Sequence, residues 1–168
     1  MLNHGNSNSR GTSIAFTKDF NYKLLKYVSD EDGRIQICSI EYNDKKLLLI
    51  NIYNENTEQK QVALLKKLGR LLENFENVPD HEIITGGDWN VIFDKKLDAH
   101  GGNPSLKLSS LAEIKRIGEK YDLCDIFRIR YPKVKLFSFR QPTPRRLRRL
   151  DYFLVSNSLQ DRIVKCEI

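Results

Sequence analysis

Short apolar runs with intervening polar residues fill the first third of the chain, which is a pattern typical of β-strands. Turn-forming residues separate four such runs, at residues 12–16, 22–28, 34–42 and 46–53. Asn43-Asp44, between the third run and the fourth, is the clearest hairpin signal. The pattern predicts successive antiparallel strands.

From Thr57 onward the apolar residues recur at steps of three and four, which predicts an amphipathic helix. Its apolar face would consist of Val62, Leu65, Leu68, Leu72 and Phe75. Thr57 is a suitable N-cap, and Pro79 follows the end of the helix. A second helix is predicted from Leu108, Leu111, Ile114 and Ile117, after an irregular loop over residues 93–104.

Strand patterns return at four places, at residues 83–88, 136–140, 150–155 and 163–168. Strands and helices are therefore mixed without strict alternation. This mixture favours an α/β fold, with two packed sheets forming a sandwich and helices outside. At 168 residues the chain suits one domain.

Composition narrows the class of protein. The chain is 40% hydrophobic and 30% charged, and no apolar stretch approaches the roughly 20 residues of a membrane span, so we expect a soluble protein. Residues 1–8 lack the basic start and apolar core of a signal peptide and are expected to be a disordered lead-in to a domain over 9–168. Three cysteines, with no zinc-type spacing, favour buried free thiols in a reducing, intracellular compartment: Cys38, Cys124 and Cys166.

Positive charge favours a polyanionic partner. The net charge is +6, and five arginines fall within ten residues, at Arg140, Arg145, Arg146, Arg148 and Arg149. Such dense like charges repel one another unless a polyanion lies among them. The alternative is a solvated basic loop without a partner.

The residues Gly86-Gly87-Asp88-Trp89-Asn90 end an apolar run with a carboxylate and a carboxamide two positions apart. Glycines let a strand turn sharply, and ligands of layered α/β folds bind at the carboxyl edge of the sheet. Asp88 and Asn90 are therefore candidate site residues. The alternative is an ordinary strand-to-turn exit, and Trp89 is better explained as a core anchor than as a wall of the site.

Six segments, in order, resemble the endonuclease/exonuclease/phosphatase superfamily, and most closely the apurinic-type endonuclease domain of LINE-type retrotransposons. They are Ser9 to Phe16, Leu49 to Tyr53, Gly87 to Asn90, Tyr121 to Arg128, Phe137 to Arg140 and Arg149 to Tyr152. The resemblance implies a two-sheet sandwich flanked by helices that lacks its first strands and its last strand. The family's metal-binding Glu, expected upstream of Ser9, and its Ser-Asp-His motif, expected after the last strand, have no counterpart here. His4, His81 and His100 stand in other contexts and do not replace the histidine of that motif.

The resemblance also implies roles for individual residues. Asp88 would orient or deprotonate the attacking water, and Asn90 would donate its amide to the phosphate. Tyr53 would contact the scissile phosphate, and the less favoured alternative is a half-buried strand aromatic. Asp151 would orient the family's distal histidine, or merely cap a strand, and Ser138 would lie beside the DNA backbone or simply near a turn.

In related endonucleases the hairpin that corresponds to residues 139–150 enters a DNA groove, so the five arginines would bind DNA. The implied function is a metal-dependent DNA endonuclease, with Mg²⁺ expected for the intact domain but no metal ligands assigned in this chain. Activity of the chain alone is expected to be weak or absent. A reverse transcriptase domain is expected on the parent polypeptide, with action on nuclear DNA. The alternatives are a catalytically dead module that binds nucleic acid and a phosphatase branch of the same superfamily.

Overall fold

The computed structural model describes residues 1–4 and 11–167. Eleven strands are found there: β1 Leu2–His4, β2 Gly11–Ser13, β3 Lys23–Ser29, β4 Ile35–Tyr42, β5 Lys45–Tyr53, β6 Glu82–Asp88, β7 Ala99–His100, β8 Leu123–Asp125, β9 Phe139–Gln141, β10 Arg146–Arg148 and β11 Asp151–Ser156. The helices are α1 Glu58–Glu73, α2 Leu108–Lys120 and α3 Ile126–Arg130, with 3₁₀ turns at Val78–Asp80 and Asn157–Arg162.

Six strands form the main sheet, in the order β3-β4-β5-β6-β11-β8. Strands β5 and β6 are parallel, and the other neighbouring pairs are antiparallel. Helix α1 makes the crossover that a parallel pair requires. Two small sheets accompany the main one, β1-β2 and β7-β10-β9. The predicted α/β class, with sheets flanked by helices, is confirmed.

The main core lies between one face of this sheet and the helices α1 and α2. Alternate residues of each strand point to that face, because side chains of a strand alternate sides. Its central members are fully or almost fully buried: Ile35, Ile37, Leu48, Ile52, Leu65, Leu68, Leu72, Ile117 and Leu154. The 3.6-residue period correctly predicted the buried positions Leu65, Leu68, Leu72, Ile114 and Ile117. It was wrong for Leu108, which is 66% exposed at the start of α2, and Val62 is only half-buried.

The opposite face of the sheet carries a smaller apolar cluster at the β8 and β11 edge. Five of its members are buried: Ile126, Phe127, Val155, Leu159 and Cys166. Phe153, on the same face, remains 47% exposed. The three cysteines are free thiols, two of them buried and Cys124 half-buried.

The turn between β4 and β5 confirms the predicted hairpin. Asn43 and Asp44 have φ angles of 48° and 57°, the left-handed pair that a two-residue hairpin of this kind requires. Helix α1 begins one residue after Thr57, which caps it without a side-chain hydrogen bond.

Three predictions about the chain ends need correction. Residues 2–4 were expected in a disordered lead-in, but they form β1 and pair with β2; residues 5–8 lie outside the described part. Strand β2 is shorter than predicted and lies outside the main sheet. The strand predicted over 163–168 is absent from 163–167, because Cys166 packs into the small cluster and no neighbouring strand pairs with this segment.

Candidate active site

Three predicted site residues lie in one row across the main sheet. Tyr53 ends β5 and is the register partner of Asp88, which ends the parallel strand β6. Asp88 is in turn the register partner of Asp151, which begins the antiparallel strand β11. Register partners place their side chains on the same face of a sheet, so these three side chains are neighbours. The structure thus brings together residues that are 98 positions apart between Tyr53 and Asp151.

Two glycines allow the strands to approach each other at this row. A Cβ atom on Gly87, which has a φ of 130°, would lie 2.1 Å from the carbonyl oxygen of Ile52. A Cβ atom on Gly86 would lie 2.5 Å from the ring of Phe153. Only glycine satisfies these positions without displacing backbone or ring atoms. The pair of glycines is therefore required by packing immediately before Asp88.

The turn after β6 is fixed by hydrogen bonds. The carboxylate of Asp88 accepts from the backbone N–H of Asn90 at 2.8 Å, and Asn90 has a left-handed φ of 52°. Buried Asn54 donates its backbone N–H to the carbonyl of Asp88 and its side-chain amide to the carbonyl of Trp89. Asn90 therefore has a defined position beside Asp88.

Trp89 lies under this turn and is fully buried. Its indole N–H donates to the carbonyl oxygen of Tyr152 at 3.2 Å, and its backbone N–H donates to Leu150. Trp89 thus anchors the turn in the core and is not a wall of the site, as predicted.

The electrostatic environment distinguishes Asp88 from an ordinary aspartate. Burial raises the pKa of its carboxyl above the usual value, and the negative charge of Asp151 raises it further. The N–H of Asn90 and the positive charges of Lys107 and Arg34 act in the opposite direction. A raised pKa makes the Asp88 carboxylate a stronger base than an exposed one.

A cleft of about 520 Å³ opens beside Asp88 and Asn90. Its other polar walls are Asn56, Ser105, Lys107 and Arg148, and its apolar walls are Ile92, Pro104, Phe139 and Leu150. The side-chain amide of Asn90 donates to the side-chain oxygen of Asn56 at 2.6 Å. A few convergent polar groups on a partly apolar cleft are typical of ligand sites.

Asn56, Lys107 and Arg34 were missed by the sequence analysis. Arg34 is almost fully buried, lies over the ring of Tyr53 at 4.9 Å and donates to the carbonyls of Tyr53 and Asn54. None of the three follows directly on an apolar strand that ends in glycines, as Asp88 does. They reach the site only through the tertiary structure.

The predicted arginine-rich hairpin is confirmed as β9 and β10, which pair antiparallel. Arg140, Arg145 and Arg146 are exposed. Arg148 is half-buried, lines the cleft and donates to the carbonyls of His100 and Gly101, with its pKa lowered by burial and by Arg146. The hairpin therefore stands directly beside the cleft.

Arg149 does not belong to the exposed set, and its prediction as a nucleic-acid contact needs correction. Only 1% of its side chain is exposed. Its guanidinium group bonds to Asp98 at 2.8 Å and to Asp125 at 2.6 Å, and it lies 4.1 Å over the ring of Tyr152. With both carboxylates engaged, Arg149 is unavailable to a phosphate. It instead joins the base of the hairpin to α3.

Ser138 is exposed, but its hydroxyl is already used. The Oγ atom accepts from the backbone N–H groups of Leu150 and Asp151 at 3.1 and 3.2 Å. This contact fixes the start of β11, and therefore the position of Asp151. A contact with the DNA backbone stays a prediction.

Three solved structures share this arrangement of strands and helices. The AP endonuclease LMAP from Leishmania major matches with a TM-score of 0.57 and 23% identity, over 82% of this chain and 50% of its own. The Xenopus laevis APE2 catalytic domain matches with a TM-score of 0.56 and 21% identity, over 79% and 48%. A humanized D. rerio TDP2 with 14 mutations matches with a TM-score of 0.55 and 15% identity, over 82% and 54%.

The chain has the endonuclease/exonuclease/phosphatase fold. It spans about half the length of each of these structures. No protein-family model matches the sequence, and no curated protein matches it. At sequence identities this low, the structural similarity establishes the fold, and activity has to be inferred from the site.

The site contains two carboxylates on register partners, those of Asp88 and Asp151. Within residues 1–4 and 11–167, no three His, Cys, Asp or Glu side chains gather as a complete metal site. Mg²⁺ is commonly held by one or two carboxylates with water completing its shell, so this pair fits such an ion.

No helix in the described ranges is long and apolar enough to cross a membrane.

Proposed function

We propose that this chain is part of a metal-dependent DNA endonuclease that hydrolyses phosphodiester bonds. The observation that carries the proposal is the row of Tyr53, Asp88 and Asp151, with Asn90 fixed beside it. Phosphodiester hydrolysis needs a base for water, donors for the phosphate oxygens and compensation for developing negative charge. These residues supply the first two.

Asp88 orients the attacking water and accepts its proton, a role that its raised pKa favours. Asn90 donates its side-chain amide to a non-bridging phosphate oxygen, exchanging its present partner Asn56. The hydroxyl of Tyr53, on a side chain that is 36% exposed, donates to the same phosphate. Asp151 holds the site's second negative charge and would orient a histidine.

Mg²⁺ is the cation that we propose for the intact domain, placed near the negative charges of Asp88 and Asp151. It would offset the charge that develops on the phosphate. The like charges of the two carboxylates support this, because a cation beside them would offset their mutual repulsion. Burial, the larger cause of the raised pKa of Asp88, would remain.

For the 168-residue chain we propose weak activity. A base, donors and two carboxylates are present, but the described residues provide no third acid for a metal. His81 does not replace a catalytic histidine, since its ring bonds to Ser39 and to the carbonyl of Asn77. Loss of individual catalytic groups commonly costs a factor of roughly 100 or more.

The retrotransposon type of this endonuclease, and a reverse transcriptase on the same polypeptide, rest on the resemblance of the six sequence segments. The exposed arginines of the hairpin support DNA as substrate, because guanidinium groups beside the cleft would hold neighbouring phosphates.

A competition assay tests the substrate class. Nicking of supercoiled plasmid with Mg²⁺ would be measured with excess linear duplex and, separately, with excess inositol phosphate. We expect the duplex alone to compete. Competition by inositol phosphate alone would favour the phosphatase branch.

The second candidate is a binding module without catalysis. The observation that favours it is the exposure of Arg140, Arg145 and Arg146, which are available to DNA whatever the state of Asp88. Tight binding of duplex with no Mg²⁺-dependent nicking at any protein concentration would select this candidate.

A further inference from the structure

The ammonium group of Lys107 lies at the junction of the two loops that form the site. Its Nζ atom donates to the carbonyl oxygen of Asn56 at 2.8 Å and to that of Asn90 at 2.9 Å. Asn56 lies between β5 and α1, and Asn90 lies in the turn after β6. Lys107 itself directly precedes α2, so one side chain joins three segments.

The position of this positive charge is unusual. Lys107 is half-buried and lines the same cleft as Asp88 and Asn90. Within the described ranges no carboxylate comes within 4.0 Å of its Nζ atom as an ion-pair partner. Burying an ammonium group without a counter-charge costs free energy, and an anion in the cleft would recover it.

The hydrogen bonds of Lys107 leave room for such an anion. An ammonium group has three N–H donors, and two of them are used by the carbonyls of Asn56 and Asn90. The side-chain amide of Asn90, which would donate to a phosphate, belongs to the same residue whose carbonyl holds Lys107. Asn90 and Lys107 line the same cleft and both bond to Asn56, so a phosphate bound there by the Asn90 amide would be within reach of Lys107.

We propose that Lys107 binds a non-bridging oxygen of the scissile phosphodiester and is a substrate-contacting residue of this site. The inference rests on the proposed function and adds to it a cationic contact that does not depend on the hairpin. Burial lowers the pKa of Lys107, and the charges of Glu58 and Asp88 only partly offset this. The ammonium would consequently gain more from a phosphate partner than an exposed lysine would.

A purely structural lysine would act differently from a phosphate ligand. If Lys107 only joined the loops, its removal would lower thermal stability and leave the salt dependence of binding unchanged. A lysine that binds a DNA phosphate displaces a counterion from the DNA, so replacing such a lysine lowers the log–log salt slope by about 0.9 on duplex DNA. The two roles therefore have separate readouts.

The test measures binding of two probes in EDTA, which prevents hydrolysis: a 12-base-pair duplex and a thymidine dinucleotide with one phosphodiester. The variants are Lys107→Met, Lys107→Gln, which keeps an amide donor without charge, and Lys107→Arg, which keeps the charge. Lys115→Met is the matched control, because Lys115 is exposed on α2 and makes no ion pair in the described residues.

We expect Lys107→Met and Lys107→Gln to weaken dinucleotide binding by about tenfold, as loss of a charge-assisted hydrogen bond does, and Lys107→Arg to retain most of it. The duplex salt slope should fall by about 0.9 in the first two variants and not in Lys115→Met. Unchanged slope and dinucleotide affinity in folded Lys107→Met would overturn the role of Lys107 alone. If the unsubstituted chain bound neither probe saturably, the proposed function would be overturned together with this inference.

Discussion

Asp88 and Asp151 lie opposite each other on two antiparallel strands, with both carboxylates on the same face of the sheet. Strand β6 ends at Asp88 and strand β11 begins at Asp151, so the pair lies at the same end of two neighbouring interior strands. Two negative charges in register destabilise each other, and proteins keep such pairs chiefly at sites that bind cations or move protons. The pair therefore places two interacting negative charges at the site.

Removing one charge of this pair should change the pKa of the other. Because the negative charge of Asp151 raises the pKa of Asp88, Asp151→Asn is expected to lower the pKa of Asp88. Side-chain carboxyl NMR titration measures this directly. Asp44→Asn, at the far hairpin, is the control, and an equal or absent shift in both variants would show that the carboxylates do not interact.

The same shift predicts how stability depends on pH. The raised pKa of Asp88 in the folded state means that its ionisation opposes folding at neutral pH; this cost disappears once pH falls below the unfolded pKa, about 3.9. Asp88→Asn should therefore raise the free energy of unfolding at pH 7, and the gain should shrink towards pH 3.5. Denaturant unfolding at both values measures it, and a gain that grows on acidification would contradict the assignment.

Arg149 is expected to contribute to stability and not to DNA binding. Arg149→Met leaves Asp98 and Asp125 without their partner, and breaking a buried pair from one side costs about 3–5 kcal/mol. The exposed Arg145→Met should change the free energy of unfolding by less than about 0.5 kcal/mol. Urea unfolding compares the two, and similar small losses would mean that Arg149 is not buried in solution.

The exposed arginines of the hairpin should dominate the salt dependence of DNA binding. Replacing Arg140, Arg145 and Arg146 with alanine should reduce the log–log slope by up to about 2.7, or about 0.9 for each phosphate contact. The control replaces Lys23, Lys45 and Lys66, which are exposed elsewhere and remove the same total charge. If both triple variants lose the same slope, only net charge matters and the hairpin has no special role.

Local sequence patterns were enough to predict most of the strands and helices. Burial alternates along β5, and the period near 3.6 in α1 and α2 arises from their buried faces, so these elements could be recognised in the sequence. Strand β4 is buried on both faces from Ile35 to Ile40, and its short apolar run indicated a strand without a period of two. The segment 163–167 has strand-like composition, but a strand also needs a neighbour to pair with, which local sequence does not reveal.

The candidate site was only partly visible in the sequence, for a related reason. Asp88 and Asn90 follow directly from a strand and its glycines, whereas Lys107 reaches Asn90 only through the position of α2. The burial of Arg149 likewise depends on Asp98, 51 residues away, and on Asp125, 24 residues away. Within the run of arginines, nothing local distinguishes the buried residue from the exposed ones.

Single-turnover nicking of supercoiled plasmid, with protein in large excess over DNA, tests most directly whether Asp88 is the base of a phosphodiesterase site. We expect slow conversion to open circles with Mg²⁺, none with EDTA, none with Asp88→Asn, and an unchanged rate with Lys115→Met. Conversion that persists in Asp88→Asn would contradict the assignment of this site, and rapid multiple-turnover nicking would contradict the weak activity proposed for the chain. Tight DNA binding without any conversion would leave a binding module in place of an enzyme.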